Sequence, residues 1–266
     1  MEQNLATLTE QLLEHMASSQ TCLSEEEILA GKVESLNALS GHLTGYDCPL
    51  CRNRGDSAFA VNGEIVWKPC PCRKVRRSLR QIRESGLESM LKTKTFASYQ
   101  AKEGWQKKLL QLVQDYARCS GGEWLVLAGS PGAGKTHLCT AVCGAALEQG
   151  EDVRYMLWLD ESQKLKAVKN DSAYEERIRP WKQASILYID DLFKTRKGEA
   201  VGDADIRLAF ELVNSRYVDP KKRTVISMER TLEEIVDLDE GLGGRLRERS
   251  KGFYAALSGP KDWRLL

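Results

Sequence analysis

The residues best placed to do chemistry form one unbroken stretch, Gly129-Ser130-Pro131-Gly132-Ala133-Gly134-Lys135-Thr136. Glycines at 129, 132 and 134 let successive backbone N–H groups turn inward without Cβ obstruction, and a helix starting behind them adds its partial positive charge. Such a loop is built to hold the phosphates of ATP. Lys135 is then placed to reach the β and γ phosphates and Thr136 to ligate Mg²⁺. The apolar run Leu125-Val126-Leu127-Ala128 directly ahead supplies the strand that the loop requires. A second apolar strand, Ser185-Ile186-Leu187-Tyr188-Ile189, delivers Asp190 and Asp191 at its carboxyl end, the edge where open α/β sheets bind ligands. Asp190 is expected to hold Mg²⁺, directly or through water, and Asp191 to orient or deprotonate the attacking water; the competing reading is that either acid caps the next element.

A second chemistry lies upstream. Cys48-Pro-Leu-Cys51 and Cys70-Pro-Cys72 place four thiols in one short module, as C-x₂-C and C-x-C separated by eighteen residues. Four thiolates with no open position suit a structural, tetrahedral Zn²⁺, which supplies folding energy to a module too small for a core. Unmetallated or redox-active thiols are the alternative. His42 is the one nearby histidine that would substitute for a ligand, although an isolated loop histidine is more often exposed. Cys139 and Cys143, at i and i+4 behind the glycine loop, read as packing residues.

These residues need elements to position them. The 266-residue chain, 42% hydrophobic, has room for one large α/β domain with an appendage. Beyond Gly121-Gly122, strands are expected at Trp124–Ala128, Val153–Trp158, Ile186–Ile189, Thr224–Ser227 and Phe253–Leu257. Helices are expected near His137–Gln149, Glu161–Val168, Ala204–Arg216 and Leu232–Val236, giving a parallel sheet covered on both faces. Another helix spans about Trp105–Ala117. Upstream, Leu5, Leu8, Leu12, Leu13 and Met16 recur at helical spacing, and Ser24 with Glu27 forms a capping box opening a second helix. From Gly41 the pattern breaks into cysteine-bearing coil, recovering as a basic helix over Val75–Ser85. The expected division is therefore a helical acidic head over 1–45, a zinc-binding module with its basic helix over 46–90, and the ATPase domain over 91–266.

Net charge is +1, so charge arguments are local. The run Arg73–Arg83 and the segment Lys194-Thr195-Arg196-Lys197 offer cations to the phosphates of single-stranded DNA, with Phe193 as a stacking neighbour; solvated surface is the plain alternative. No segment approaches the ~18 apolar residues of a membrane span, and the first residues lack a signal peptide's pattern. A cytoplasmic protein without membrane contact is expected.

Thr95-Phe96-Ala97-Ser98-Tyr99, Asp190-Asp191-Leu192-Phe193-Lys194 and Asp239-Glu240-Gly241-Leu242-Gly243-Gly244-Arg245-Leu246-Arg247-Glu248-Arg249, together with the glycine loop, resemble the AAA+ helicase loaders of the DnaC/DnaI type. The resemblance is especially to forms from Gram-positive bacteria and their phages with a cysteine module before the ATPase, and it covers roughly 46–266. The resemblance implies an AAA+ ATPase with a parallel five-stranded sheet and no room after Leu257 for the usual helical lid. It implies a partner in the DnaB-family hexameric replicative helicase, gripped through the N-terminal region, delivery onto single-stranded DNA, and an ATP-dependent homo-oligomer. It also implies an arginine finger reaching a neighbouring subunit's ATP, for which Arg249 is preferred to Arg245; the plain reading of both is a solvated basic helix end. Many relatives carry Glu where Asp191 stands, so slow hydrolysis is expected. Many also carry a polar residue and Asn after the fourth strand, where this chain offers Ser227 and Glu229. An IstB-type transposition helper and an ATP-regulated DNA- or protein-binding regulator are the competing functions.

Overall fold

The computed structural model describes residues 23–84, 87–195 and 199–257. The first expected helix, over Leu5–Met16, and the cations Arg196 and Lys197 lie outside them. Residues up to Arg73 form one compact unit and those from Lys74 a second. That division falls within the basic helix.

In the first unit, α1 (Glu25–Ala38) opens on the expected capping box, with Glu27 N donating to Ser24 Oγ at 3.2 Å and Ser24 N donating to Glu27 Oε2 at 2.8 Å. The stretch read as coil contains an antiparallel hairpin, β1 (Asp56–Val61) and β2 (Glu64–Pro69). Its two-residue turn is Asn62-Gly63, both at positive φ (51° and 80°), which is the turn chemistry that fits the twist of paired strands. Asn37 ties α1 to the hairpin, donating to Ala58 O and accepting from Ala58 N, each at 2.9 Å.

The basic helix is α2 (Cys72–Glu84), starting three residues before Val75, so that the last cysteine of the module opens it. Its apolar side is buried through Val75, Ser78 and Ile82. Short α3 (Glu88–Thr93) and α4 (Gly104–Arg118) follow. The remaining elements alternate as β3 (Leu125–Gly129), α5 (Lys135–Glu148), β4 (Val153–Leu157), α6 (Trp158–Ala167), α7 (Tyr174–Gln183), β5 (Ile186–Leu192), α8 (Asp203–Tyr217), β6 (Arg223–Met228), α9 (Leu232–Leu238), α10 (Glu240–Arg249) and β7 (Tyr254–Leu257). The sheet is parallel and five-stranded in the order β4-β5-β6-β3-β7.

Period-two alternation in the strands feeds two cores, one on each face. Leu125, Leu127, Ile186, Tyr188 and Val225 face a core shared with Val113, Leu138 and Val142 of α4 and α5. Val126, Ala128, Leu187, Ile189 and Ile226 face the other, shared with Leu165, Ile178, Leu212 and Leu246 from helices on that side. Two differences from the expected elements lie on that second face. Trp158 is the first residue of α6 rather than the last of β4, because its ring buries in the second core while Asp160 and Glu161 favour a helix start. Helix α7 carries Pro180 and many charges, which hid it from periodicity.

Candidate functional site

Strand β3 ends at Gly129, whose φ of +120° turns the chain into the glycine loop; a Cβ there would lie 2.1 Å from Leu257 O. Gly134, at φ +89°, is the residue from which α5 begins. The loop closes on Lys135, buried with its Nζ donating to Gly129 O at 2.7 Å and Ser130 O at 2.9 Å. Burial lowers the Lys135 pKa from the ordinary lysine value, against the opposing pull of Asp191 and Glu229. A cleft of about 420 Å³ opens over the loop, lined by Pro131, Gly132, Gly134, Lys135, Thr136, His137, Asp191, Lys194, Glu229 and Lys94. The glycine loop and the second acid therefore share one site, as the spacing predicts.

Asp190 is buried and accepts from four hydroxyls. Its Oδ1 accepts from Tyr188 Oη at 2.6 Å, from Thr136 Oγ1 at 3.3 Å and from Ser227 Oγ, and its Oδ2 accepts from Tyr155 Oη at 2.9 Å. Burial pushes both phenols well above the ordinary tyrosine pKa, so both remain donors. Asp191 sits one residue on, at φ +56°, where β5 slips register against β6. Its backbone N–H donates to Ser227 Oγ at 3.1 Å. Burial, then the Asp190 charge, raises the Asp191 pKa, while Lys194 and Lys135 oppose the shift. Ser227 is fully buried and ties both acids to β6. Glu229 pairs with Lys194 at the cleft wall.

Four other expectations resolve. Arg249 donates through Nη2 to Gly122 O at 2.5 Å, Lys222 O at 3.2 Å and Asp219 O at 3.4 Å, and its guanidinium lies 5.4 Å from the Trp124 ring centroid. It thus braces the chain ahead of β3 and β6, at the opposite end of those strands from the glycine loop. Arg245 is bonded to Asn214 Oδ1 at 3.0 Å and Gly241 O at 2.7 Å and lies over Phe210 and Tyr217. Neither arginine enters the cleft of its own chain. Phe193 is buried against Trp158, with ring centroids 5.5 Å apart, so it offers no face to a base and the expected stacking role fails. Cys139 and Cys143 are buried, with burial pushing both thiols up, as packing residues require.

Sequence reasoning used Thr95–Tyr99 only as a likeness, yet the structure puts it on the glycine loop. The Tyr99 ring lies 3.0 Å from where a Gly134 Cβ would stand, and it meets the His137 ring edge-on at 5.2 Å. His137 Nε2 in turn reaches Thr95 O at 2.9 Å. The signal was the Thr-x-x-Ser turn, in which Thr95 N donates to Ser98 Oγ at 2.9 Å.

In the first unit, Cys48, Cys51, Cys70 and Cys72 are all buried, and their Sγ atoms lie within 4.8 Å of one another. Cys48–Cys70 and Cys51–Cys72 are 3.8 and 3.5 Å apart. Sulfurs at the corners of a zinc tetrahedron are about 3.8 Å apart, given Zn–S bonds of about 2.3 Å. Burial works to raise the Cys51 pKa, but the Gly55 N–H and the neighbouring thiols hold it down at about 6; burial pushes Cys70 up to about 12. Four clustered thiols cannot all ionise without a cation among them, so the donor set fits Zn²⁺. His42 is exposed and outside the cluster.

The family model described as IstB-like ATP binding protein matches residues 59–239. The phage-like element PBSX protein XkdC of Bacillus subtilis is 30% identical over 80% of this chain and 83% of its own length. An insertion sequence ATP-binding protein, y4iQ/y4nD/y4sD of Sinorhizobium fredii, is 30% identical over 41% of this chain and 37% of its own. Among solved structures, the DnaC helicase loader covers 64% of this chain and 98% of its own (TM-score 0.52, 20% identity), and DnaI covers 65% and 92% (TM-score 0.51, 15% identity). These likenesses show the fold alone, the parallel five-stranded sheet with its glycine loop described above. By the span of the family match, the chain belongs to the IstB-like ATP-binding proteins.

Proposed function

We propose that this protein is an ATP-dependent loader that binds a DnaB-family hexameric replicative helicase and delivers it onto single-stranded DNA. The observation that carries the reading is the pairing of a cysteine-clustered unit, compact in itself, with a separate nucleotide-binding unit. One unit is available to grip a partner while the other changes nucleotide state.

In this reading the backbone N–H groups of the glycine loop, Pro131 having none, and Lys135 would hold the phosphates, and Thr136 and Asp190 would hold Mg²⁺. The ion when bound neutralises charge on the transferring phosphoryl group. Asp191 orients a water for attack on the γ-phosphorus and accepts its proton, and ADP leaves. Arg249 and Arg245 are the finger candidates for a neighbouring subunit, and each would have to leave its bonds within its own chain to serve.

A transposition helper is the second reading, favoured by the family description and by the insertion-sequence relatives. Capture of the host's replicative helicase by the full chain supports the loader; capture of a transposase, with the helicase left behind, replaces it with the helper. ATP turnover that is indifferent to both partners and to DNA points instead to a nucleotide-regulated binding protein.

A further inference from the structure

Beyond the glycine loop, the cleft is lined by Asp191, Lys194 and Glu229. Asp191 has a use in the proposed chemistry, but a second carboxylate in a cleft suited to a polyanion is a cost unless a cation offsets it. That cation is Lys194, whose Nζ forms an ion pair with Glu229 Oε1. Among the described residues neither has another ion-pair partner.

The backbone explains why Lys194 faces the cleft instead of continuing the strand. The last rung of β5 and β6 pairs Leu192 with Met228, and Asp191 and Phe193 stand on either side of Leu192 at φ +56° and +60°. Left-handed residues other than glycine persist only where their surroundings hold them. Here the buried Phe193 ring packs against Trp158, and Lys194 N donates to Asp191 O at 2.8 Å, closing a tight turn. On the other side, fully buried Met228 anchors β6 one residue before Glu229. Both backbones are fixed, so the parts free to move are the two side chains.

The pair is placed to act and is easily broken. Burial and then the Asp190 charge raise the Asp191 pKa, with Lys194 opposing the shift and Glu229 adding to it. The Lys135 amine, lowered first by burial, is held up by Asp191 and Glu229 and lowered further by Lys194. Lys194 and Glu229 are thus within electrostatic reach of both the lysine that would hold the γ-phosphate and the acid that would direct water at it. With side chains 36 and 38% exposed, their ion pair is screened by solvent and contributes little to the fold. A multiply charged phosphoryl group is a stronger partner for an ammonium than one carboxylate, and the flexible lysine stem can follow it.

We propose that Lys194 reads the terminal phosphate of a nucleoside triphosphate and that Glu229 holds Lys194 when that phosphate is absent. The ion pair exchanges partners with nucleotide state, closed over an empty cleft or ADP and open with ATP. Glu229, itself an anion, does not touch the phosphate. This rests on the ATP-binding reading of the cleft and adds to it a means of telling triphosphate from diphosphate. It also takes Lys194 away from the DNA-facing role expected of its segment.

The test is equilibrium titration of the full chain, in Mg²⁺, with fluorescent derivatives of a slowly hydrolysed ATP analogue and of ADP. Wild type is compared with Lys194→Met, Lys194→Arg, Glu229→Gln and the double variant Lys194→Met/Glu229→Gln. Lys194→Met is expected to weaken the triphosphate at least about tenfold, the loss of one charge-assisted hydrogen bond, and the diphosphate less than about threefold. Lys194→Arg is expected to keep most of the discrimination. Glu229→Gln is expected to tighten the triphosphate by about threefold, the worth of a part-exposed ion pair, and to gain less in the Lys194→Met background, where no lysine is left to release. An equal gain in both backgrounds overturns the exchange and leaves only repulsion by Glu229. Equal losses of triphosphate and diphosphate affinity in Lys194→Met overturn it too, making Lys194 a general support of the cleft. Unchanged nucleotide affinities with weakened binding of labelled oligothymidylate overturn it in favour of a DNA contact. In each of these the wild type still binds ATP and the reading of the cleft stands, whereas wild type that binds neither nucleotide overturns both.

Discussion

At the residue scale, the roles proposed for Lys135 and Asp191 divide the work between holding ATP and cleaving it. Lys135→Ala removes a charged donor that makes two hydrogen bonds to loop carbonyls. At about 1.5–3 kcal/mol for a hydrogen bond to a charged group, ATP affinity is expected to fall at least tenfold, with the far-ultraviolet circular dichroism unchanged. Titration with a fluorescent ATP analogue checks this, and wild-type affinity would remove Lys135 from the site. Asp191→Asn keeps the shape and loses the base, so binding should persist while phosphate release falls at least about 100-fold. The sign of the pH dependence follows from the raised Asp191 pKa. A base must be ionised, so wild-type turnover should be full above that pKa and fall as pH drops through it. Phosphate release measured across pH in both proteins should show that acid limb only in the wild type.

At the element scale, Arg249 shows what a sequence reveals and what it withholds. Its place near the end of α10, just ahead of β7, fits a finger reaching outward, yet folding turns it inward onto Gly122, Asp219 and Lys222. A Cβ at Gly122 would lie 1.6 Å from Pro220 O, so this junction is already close-packed. Arg249→Ala is expected to cost about 2–3 kcal/mol, lowering the thermal midpoint by roughly 5–10 °C. A finger lost from an intact fold would instead leave the midpoint in place and remove only turnover. The glycine loop and its flanking strand were legible because their chemistry is local, each residue serving its neighbours. Asp190 was legible as an acid at a strand end, but not its four hydroxyl partners, since Tyr155, Ser227 and Thr136 arrive from separate segments that only the sheet order brings together. The hairpin at Asn62-Gly63 was legible and missed; the cysteines on either side drew the eye to metal chemistry and away from a turn signal. Phe193 was misjudged because exposure is a tertiary property that its polar neighbours do not report.

At the scale of the whole molecule, two compact units imply two stabilities. The first unit runs Met1–Arg73, and a unit of that size generally needs a staple beyond its apolar core. The four thiols supply the ligands for one. Protein purified without chelator is expected to carry one zinc per chain by metal analysis, and Cys51→Ser to lose it. Stripping the metal from the full chain should raise protease sensitivity within the first unit, while affinity for an ATP analogue changes less than about twofold, because the cleft residues all lie in the second. Absence of zinc would refute the assignment, and loss of ATP binding on stripping would show the two units to be energetically inseparable. Among the described residues no helix is long and apolar enough to cross a membrane.

The left-handed backbone at Asp191 also bears on which acid the site can use. Aspartate and asparagine tolerate that conformation better than longer side chains, because a short polar group can bond locally to the backbone. The hand of one residue therefore selects the length of its carboxylate. Lengthening the acid should not act as a repair: Asp191→Glu is expected to lose roughly 1 kcal/mol of stability without turning over ATP faster than the wild type. Thermal unfolding and phosphate release on the one variant test this, and a faster, equally stable enzyme would show that acid length and backbone hand are independent choices.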